Sequence, residues 1–346
     1  LEFRRVLFRS DSGIETGTIT IGAAGNYNSG NSLTFTASSG GNIRINAAIS
    51  NNGIGGVNFN VSGGNGTSTG VIQLGANVTT AGGAVSFGGS TWLTAASVVD
   101  TTNGGGTAAG AGISFGSTLN GAFSLGLRAG TTGGIAFAGV TGGLARLGAI
   151  TIQSANTFTA LAIDAASLSG ASIGSSTFNG LQDYNTGAGL SVSAGTIVLN
   201  KGVVTSGGGG VTLNATSATL TIAADGDINS DGAVSLTGAS GISTAGNVVT
   251  TGDAVDYNSN TTLTGNKTLS VGVGKVTYHG TLSGTADEEL AITGDLEFQN
   301  TVGTGNAVGA LTVSGATTIN TAQVITSDRK STRLNSSHAN ISYAVF

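Results

Sequence analysis

The sequence predicts an all-β chain, a β-solenoid of short glycine-bounded strands stacked in parallel, and three observations carry that prediction. One phrase recurs from Ser10 to Ser327: glycine, then apolar–polar–apolar, then glycine or asparagine. Strict alternation over a few residues describes a half-buried strand, and the flanking Gly, Asn and Ser describe turns. Second, glycine makes up 61 of 346 residues, roughly 18 per cent against an ordinary ~7 per cent, while proline, cysteine and methionine are absent. Third, Thr, Asn, Gly and Val weigh against helix almost everywhere, yet 39% of residues are hydrophobic and 8% charged, so the chain does not have the make-up of a disordered tail.

The phrases can be followed in order. They are Gly56-Val57-Asn58-Phe59-Asn60-Val61, Gly83-Ala84-Val85-Ser86-Phe87-Gly88, Gly112-Ile113-Ser114-Phe115-Gly116 and Gly134-Ile135-Ala136-Phe137, then Gly210-Val211-Thr212-Leu213-Asn214 and Gly232-Ala233-Val234-Ser235-Leu236. Ile43, Val57, Val71 and Val85 begin apolar stretches 14 residues apart, Ile113 follows 28 after Val85, and the later steps Ile113 to Ile135 and Val211 to Val234 are 22 and 23. The short step fits one strand plus one turn, and the long step fits a coil of two or three strands. A barrel or propeller fixes its strand number, whereas a solenoid tolerates separators that range from Gly208-Gly209 to the stretch from Asp100 to Ala111. Val, Ile, Leu and Phe are expected inside, with Asn and Thr ladders at the turns. Residues 11–252 form one repeat type. A second, over 253–327, begins where Tyr257, Tyr278, His279, Asp287, Glu288, Glu289, Asp295 and Glu297 gather.

The two ends differ from everything between them. Residues 1–10 and 328–346 carry Arg4, Arg5, Arg9, Arg329, Lys330 and Arg333, half of the 12 basic residues. The first string resembles one strand of a translated sequencing-library adapter and the second its complement, with Ala339-Asn340 in the place of the index. The competing reading is a basic terminus for membranes or nucleic acid. With both ends excluded from fold reasoning, six basic residues face fifteen acidic ones, a net charge of −9 in place of −5. The span is then expected to be an internal piece of a longer protein. A thinly charged acidic body without a basic stripe argues against nucleic acid as partner, and no apolar run is long enough for a transmembrane helix.

Gly112 to Gly143, Gly232 to Leu263 and Gly309 to Thr326 resemble the repetitive passengers of filamentous-haemagglutinin-like and autotransporter-type bacterial exoproteins. The resemblance covers essentially all of 11–327. It implies a right-handed parallel β-helix, an extracellular or outer-membrane surface location, and two-partner secretion or autotransporter export through an outer-membrane transporter. It also implies contacts with a host or neighbouring cell surface or with extracellular glycans. No segment matches the N-terminal secretion-recognition region of such proteins. Under this reading the chain is an adhesive shaft or spacer, not an enzyme, and it needs no cofactor.

Two other readings rest on particular residues. Asp225, Asp227, Asn229 and Asp231, followed by Gly232, copy the oxygen-rich first half of an EF-hand-type calcium loop. Gly238 stands where the bidentate Glu belongs, and an Asx-rich turn is the competing account. Asp253 with Asp256, and Asp287-Glu288-Glu289, supply paired carboxylates of the kind found in β-helical polysaccharide hydrolases or lyases, with Lys267 and Lys275 as the nearby cations and His279 as the one histidine of the span. Trp92 is expected to plug the core, with sugar stacking as its alternative. The chain lacks a nucleophile elbow with His and Asp partners, and its glycine runs lack the Lys-Ser/Thr of a phosphate loop.

Overall fold

In the computed structural model, which describes residues 17–38, 40–61 and 70–327, each recurring phrase is a strand lying on the equivalent strand one turn below. Residues 1–10 and 328–346 lie outside the described residues. Every pairing between strands is parallel, and together they build a parallel β-solenoid of about 13 turns. Among the described residues the only helical element is a 3₁₀ turn at Asn103–Gly105, and no helix is long and apolar enough to cross a membrane.

Each turn has three faces. The first begins with Ile19–Ile21, Ile43–Ile45, Ile72–Leu74 and Thr91–Leu93. The second begins with Gly25–Tyr27, Ile49–Asn51, Val78–Thr80 and Ser97–Asp100. The third begins with Leu33–Ala37, Val57–Val61, Val85–Phe87, Ile113–Phe115 and Gly134–Phe137. Higher in the stack single strands bend around a corner and serve two faces. Leu147–Ala160 pairs with Leu125–Arg128 through its first half and with Gly134–Phe137 through its second.

The two sequence periods now separate. Val57 pairs with Val85, Val85 with Ile113 and Ile113 with Ile135, so steps of 28, 28 and 22 are complete turns. The 14-residue step from Ile43 to Val57 only crosses from the first face to the third. Turn length ranges from 29 residues, between Ile43 and Ile72, to 18, between Ile150 and Leu168.

Period-two alternation sends one set of side chains inward, and register stacks them. Phe35, Phe59, Phe87 and Phe115 form a face-to-face column, continued edge-on by Phe137, Phe158 and Phe178. Leu199, Ile222, Thr244 and Leu263 extend its line. Aromatics then reappear on the second face, where Tyr257 stacks on Tyr278 at 4.5 Å and Phe298 follows at 5.7 Å. The textural change near Asp253 is therefore a change in which face carries the large rings, while pairing continues unbroken from Val234–Gly238 to Val255–Tyr257.

Glycine ahead of a phrase has a steric cause. A Cβ on Gly83 would sit 2.0 Å from the carbonyl oxygen of Gly55, and one on Gly133 would sit 2.1 Å from that of Ala111. At this corner one backbone passes directly over the next, and a side chain has no room. Asparagine and aspartate do a different job at the corners. Their side-chain oxygens accept the amide of the following turn: Asn42 from Val71 at 2.8 Å, Asn77 from Val98 at 2.8 Å, Asn260 from Thr281 at 3.0 Å and Asp295 from Ala316 at 2.8 Å. Ladders of identical polar side chains are fewer, as in Asn200 donating to Asn179 at 2.8 Å.

Candidate functional site

The richest chemistry lies on the outer side of the second face, across Val255–Tyr257, Lys267–Tyr278 and Leu290–Phe298. With Val255, Tyr257, Val276, Tyr278, Leu296 and Phe298 facing in, the intervening residues must face out. Register then brings together residues about twenty positions apart. His279 Nε2 lies 3.3 Å from Asp256 Oδ1, and its Nδ1 lies 2.8 Å from Gln299 Oε1. Gln299 Nε2 donates to Glu297 Oε1 at 3.0 Å, and Glu297 Oε2 pairs with Lys275 Nζ at 2.5 Å. Asn320 Nδ2 also donates to Glu297, at 3.2 Å. The hydrogen bonds from Lys275 and Gln299 hold the Glu297 carboxyl below its usual range, and the bond to Glu297 raises the Lys275 amine. The five side chains form one chain of contacts over three turns: acid, imidazole, amide, acid, amine. Such a strip can cross-link turns and can offer polar groups to a ligand lying along the axis.

Sequence reasoning identified Asp256, Lys275 and His279 separately. It did not join them to Glu297 and Gln299, because their proximity follows from turn length and not from spacing within a motif.

The paired carboxylates expected for a hydrolase do not gather. Asp253 lies at the corner before the second face, with its Oδ2 accepting from Thr251 at 3.2 Å. Asp287, Glu288 and Glu289 occupy a different corner, just before Leu290–Phe298. Glu288 points inward and accepts from the Thr285 amide at 2.6 Å, the Ala286 amide at 2.8 Å and the Thr285 hydroxyl. Burial pushes its carboxyl up, but these hydrogen bonds outweigh burial and leave it below the usual range.

Lys267 is inside the solenoid. Its Nζ donates to Thr244 Oγ1 at 3.0 Å and to the Gly246 carbonyl, and lies 5.6 Å from the centre of the Tyr257 ring. Burial drives its pKa down to about 7, with Asp227 pulling the other way. Only 2% of the residue is exposed.

Of the calcium candidates Asp225, Asp227, Asn229 and Asp231, only Asn229 lies in the strand Ile228–Ser230; Asp225 sits in the turn before it, Asp227 between the two, and Asp231 in the bend that follows. Asp225 pairs with Lys201 at 2.5 Å, which holds its carboxyl low. Asp227 accepts from the Asn247 amide at 2.7 Å. Asp231 accepts from the Gly208 amide at 2.8 Å, the first cause of its own low carboxyl pKa. Asn229 projects outward beside Val204 and Val249. Among the described residues no three His, Asp or Glu side chains gather closely enough to hold a metal ion.

Trp92 corrects an expectation. Thr91 and Leu93 point into the core, so alternation turns the indole outward, where it is 37% exposed.

Fold and surface together define a parallel β-solenoid whose polar side chains mainly link one turn to the next. No protein-family model, curated protein or solved structure matches the chain.

Proposed function

We propose that this chain is a shaft or spacer segment of a large bacterial exoprotein, presented outside the cell or on its outer surface, that adheres through many weak contacts along its length. The observation that carries this reading is the unbroken stack, in which turn pairs with turn from Ile19 to Thr326. A solenoid gains length with each turn, and its equivalent outer faces repeat any weak binding group along the axis. The polar groups support the same role. Arg146, for example, reaches Asp164 at 2.6 Å and Asp183 at 3.2 Å, tying its own turn to the next two. No residue is catalytic in this reading, no cofactor is needed, and nucleic acid is not a partner. The resemblance of Gly112 to Gly143 and Gly232 to Leu263 to filamentous-haemagglutinin-like and autotransporter passengers supports export through an outer-membrane transporter.

The test is avidity. Beads coated with the chain at graded density are flowed over surfaces of cells or immobilised glycans. Retention that rises more steeply than density supports the reading, and retention no better than that of bare beads overturns it.

A carbohydrate-active site is the second reading, favoured by Asp256, Glu297, Lys275 and His279 sharing one outer face. Release of reducing ends from a polysaccharide, lost in Glu297→Gln, is the result that supports it.

A further inference from the structure

One column on the outer side of the first face is left without partners among the described residues. Arg44, Gln73 and Trp92 are the outward residues of Ile43–Ile45, Ile72–Leu74 and Thr91–Leu93, and register sets Arg44 beside Gln73 and Gln73 beside Trp92.

Two of the three are singular. The described residues hold six Lys and Arg side chains. Arg128 bonds Gln153, Arg146 bonds two aspartates, Lys201 and Lys275 each pair with an acid, and Lys267 is buried against Thr244. Arg44 alone has neither hydrogen bond nor ion pair among the described residues, and it is exposed. Trp92 is the only tryptophan of the chain, and it sits outside while the phenylalanine column is inside. The flanking positions in the column are Thr20 and Asn120, so no acid neutralises the guanidinium from an adjacent strand.

These side chains suit one chemical class. An exposed indole offers a flat apolar surface with a polar edge, which fits the face of a sugar ring. A guanidinium holds a carboxylate through two parallel hydrogen bonds. A carboxamide both donates to and accepts from hydroxyls. Neighbouring strands are about 4.8 Å apart, which places the Arg44 and Trp92 backbones about 10 Å apart with Gln73 between them. We propose that this column is a binding track for a linear glycan bearing carboxylates, lying along the solenoid axis. One ring stacks on Trp92, its hydroxyls meet Gln73, and the carboxylate of a neighbouring unit sits on Arg44. The proposal rests on the adhesive half of the proposed function and names its ligand class.

The full chain carries its own probe, since Trp92 is its one tryptophan and indole can be excited selectively over the five tyrosines. Titration with oligogalacturonate is expected to give a saturable change in emission, with a neutral oligosaccharide such as cellohexaose binding at least about tenfold more weakly, the scale of one lost charge-assisted hydrogen bond. Arg44→Gln is expected to remove the preference for the charged ligand. Trp92→Ala, followed by calorimetry, is expected to abolish binding of both ligands. Unchanged melting of the two variants shows that an effect is local, and Arg44→Lys restoring part of the preference is a further supporting result. Silent emission at millimolar oligogalacturonate overturns the proposal. So does unaltered affinity in either variant, or a response to dextran sulfate without one to oligogalacturonate. Bead retention that survives both substitutions places adhesion elsewhere and overturns the track alone. Ligand binding without any bead retention overturns the adhesive reading and leaves the track standing.

Discussion

Phe87 lies on Phe115 with ring centroids 4.6 Å apart and 4° between their planes, although 28 residues separate them in sequence. That stack marks one complete turn, and it links the repeated phrase to the packed interior. Both rings are fully buried. Each fills space that the turns above and below cannot close by collapsing, because their backbones are fixed by parallel pairing on three faces.

Phe115→Ala is therefore expected to cost about 3–5 kcal/mol of local stability. The loss is expected to be concentrated in the adjoining turns, since each repeat contacts only its neighbours. Hydrogen exchange by peptide mass spectrometry checks this. Protection should fall around residues 85–137 and remain at 255–298.

Gly83→Ala tests the corner rule. The new methyl would meet the Gly55 carbonyl at 2.0 Å, and that oxygen already accepts a hydrogen bond from Asn51 Nδ2 at 2.7 Å. A loss of about 1–3 kcal/mol is expected from overpacking. The exposed Gly208 has nothing within 4 Å but a φ of +79°, so Gly208→Asn, which tolerates that backbone region, is expected to be nearly neutral in the same melting assay.

Lys267 gives the chain a pH dependence of definite sign. Its pKa falls from 10.5 to about 7 on folding, so between those values the unfolded chain holds a proton that the folded chain lacks. Stability then rises with pH across that window and is flat, for this group, below about 7. Above pH ~10 the buried Tyr184, Tyr257 and Tyr278 reverse the trend, because burial raises each of them and the unfolded chain loses its tyrosine protons first. The melting temperature is expected to climb from pH 7 to 9.5. Lys267→Met should flatten that rise, and a slope unchanged in the variant contradicts the buried amine as its source.

Glu297 acts in the opposite direction. Its folded carboxyl is held low by Lys275 and Gln299, so its contribution is present above the unfolded glutamate pKa and is lost as pH falls through the folded value. Lys275 is half exposed, so the pair is worth no more than about 1 kcal/mol. Glu297→Gln is expected to lower stability slightly at pH 7, to do nothing once the carboxyl is protonated in the folded chain, and to have a smaller effect in high salt. Paired melts of the variant and the parent check all three.

The strands and their stacking were legible because the code for them is local. Val57, Ile113 and Ile135 directly follow glycine, Val85 follows Gly83-Ala84, each starts an alternating phrase, and all four fall in one column. Three things were not legible. A tryptophan reads as core by composition, but Trp92 sits at an odd position between Thr91 and Leu93, and parity overrides hydrophobicity there. Lys267 occupies an inward position that a polar residue ordinarily avoids, and only the three-dimensional placement of Thr244 and Gly246 explains how its amine is satisfied. The Asp256–His279–Gln299–Glu297–Lys275 strip joins three turns of unequal length, so no fixed sequence spacing announces it.

Single-molecule pulling between residues 17 and 327 tests the shaft most directly. A stack of separately closing turns is expected to resist extension and then yield in repeated steps. Each turn of roughly 22 residues would release about 75 Å of chain. Smooth lengthening without discrete steps, or one event releasing the whole chain at low force, would contradict a load-bearing solenoid.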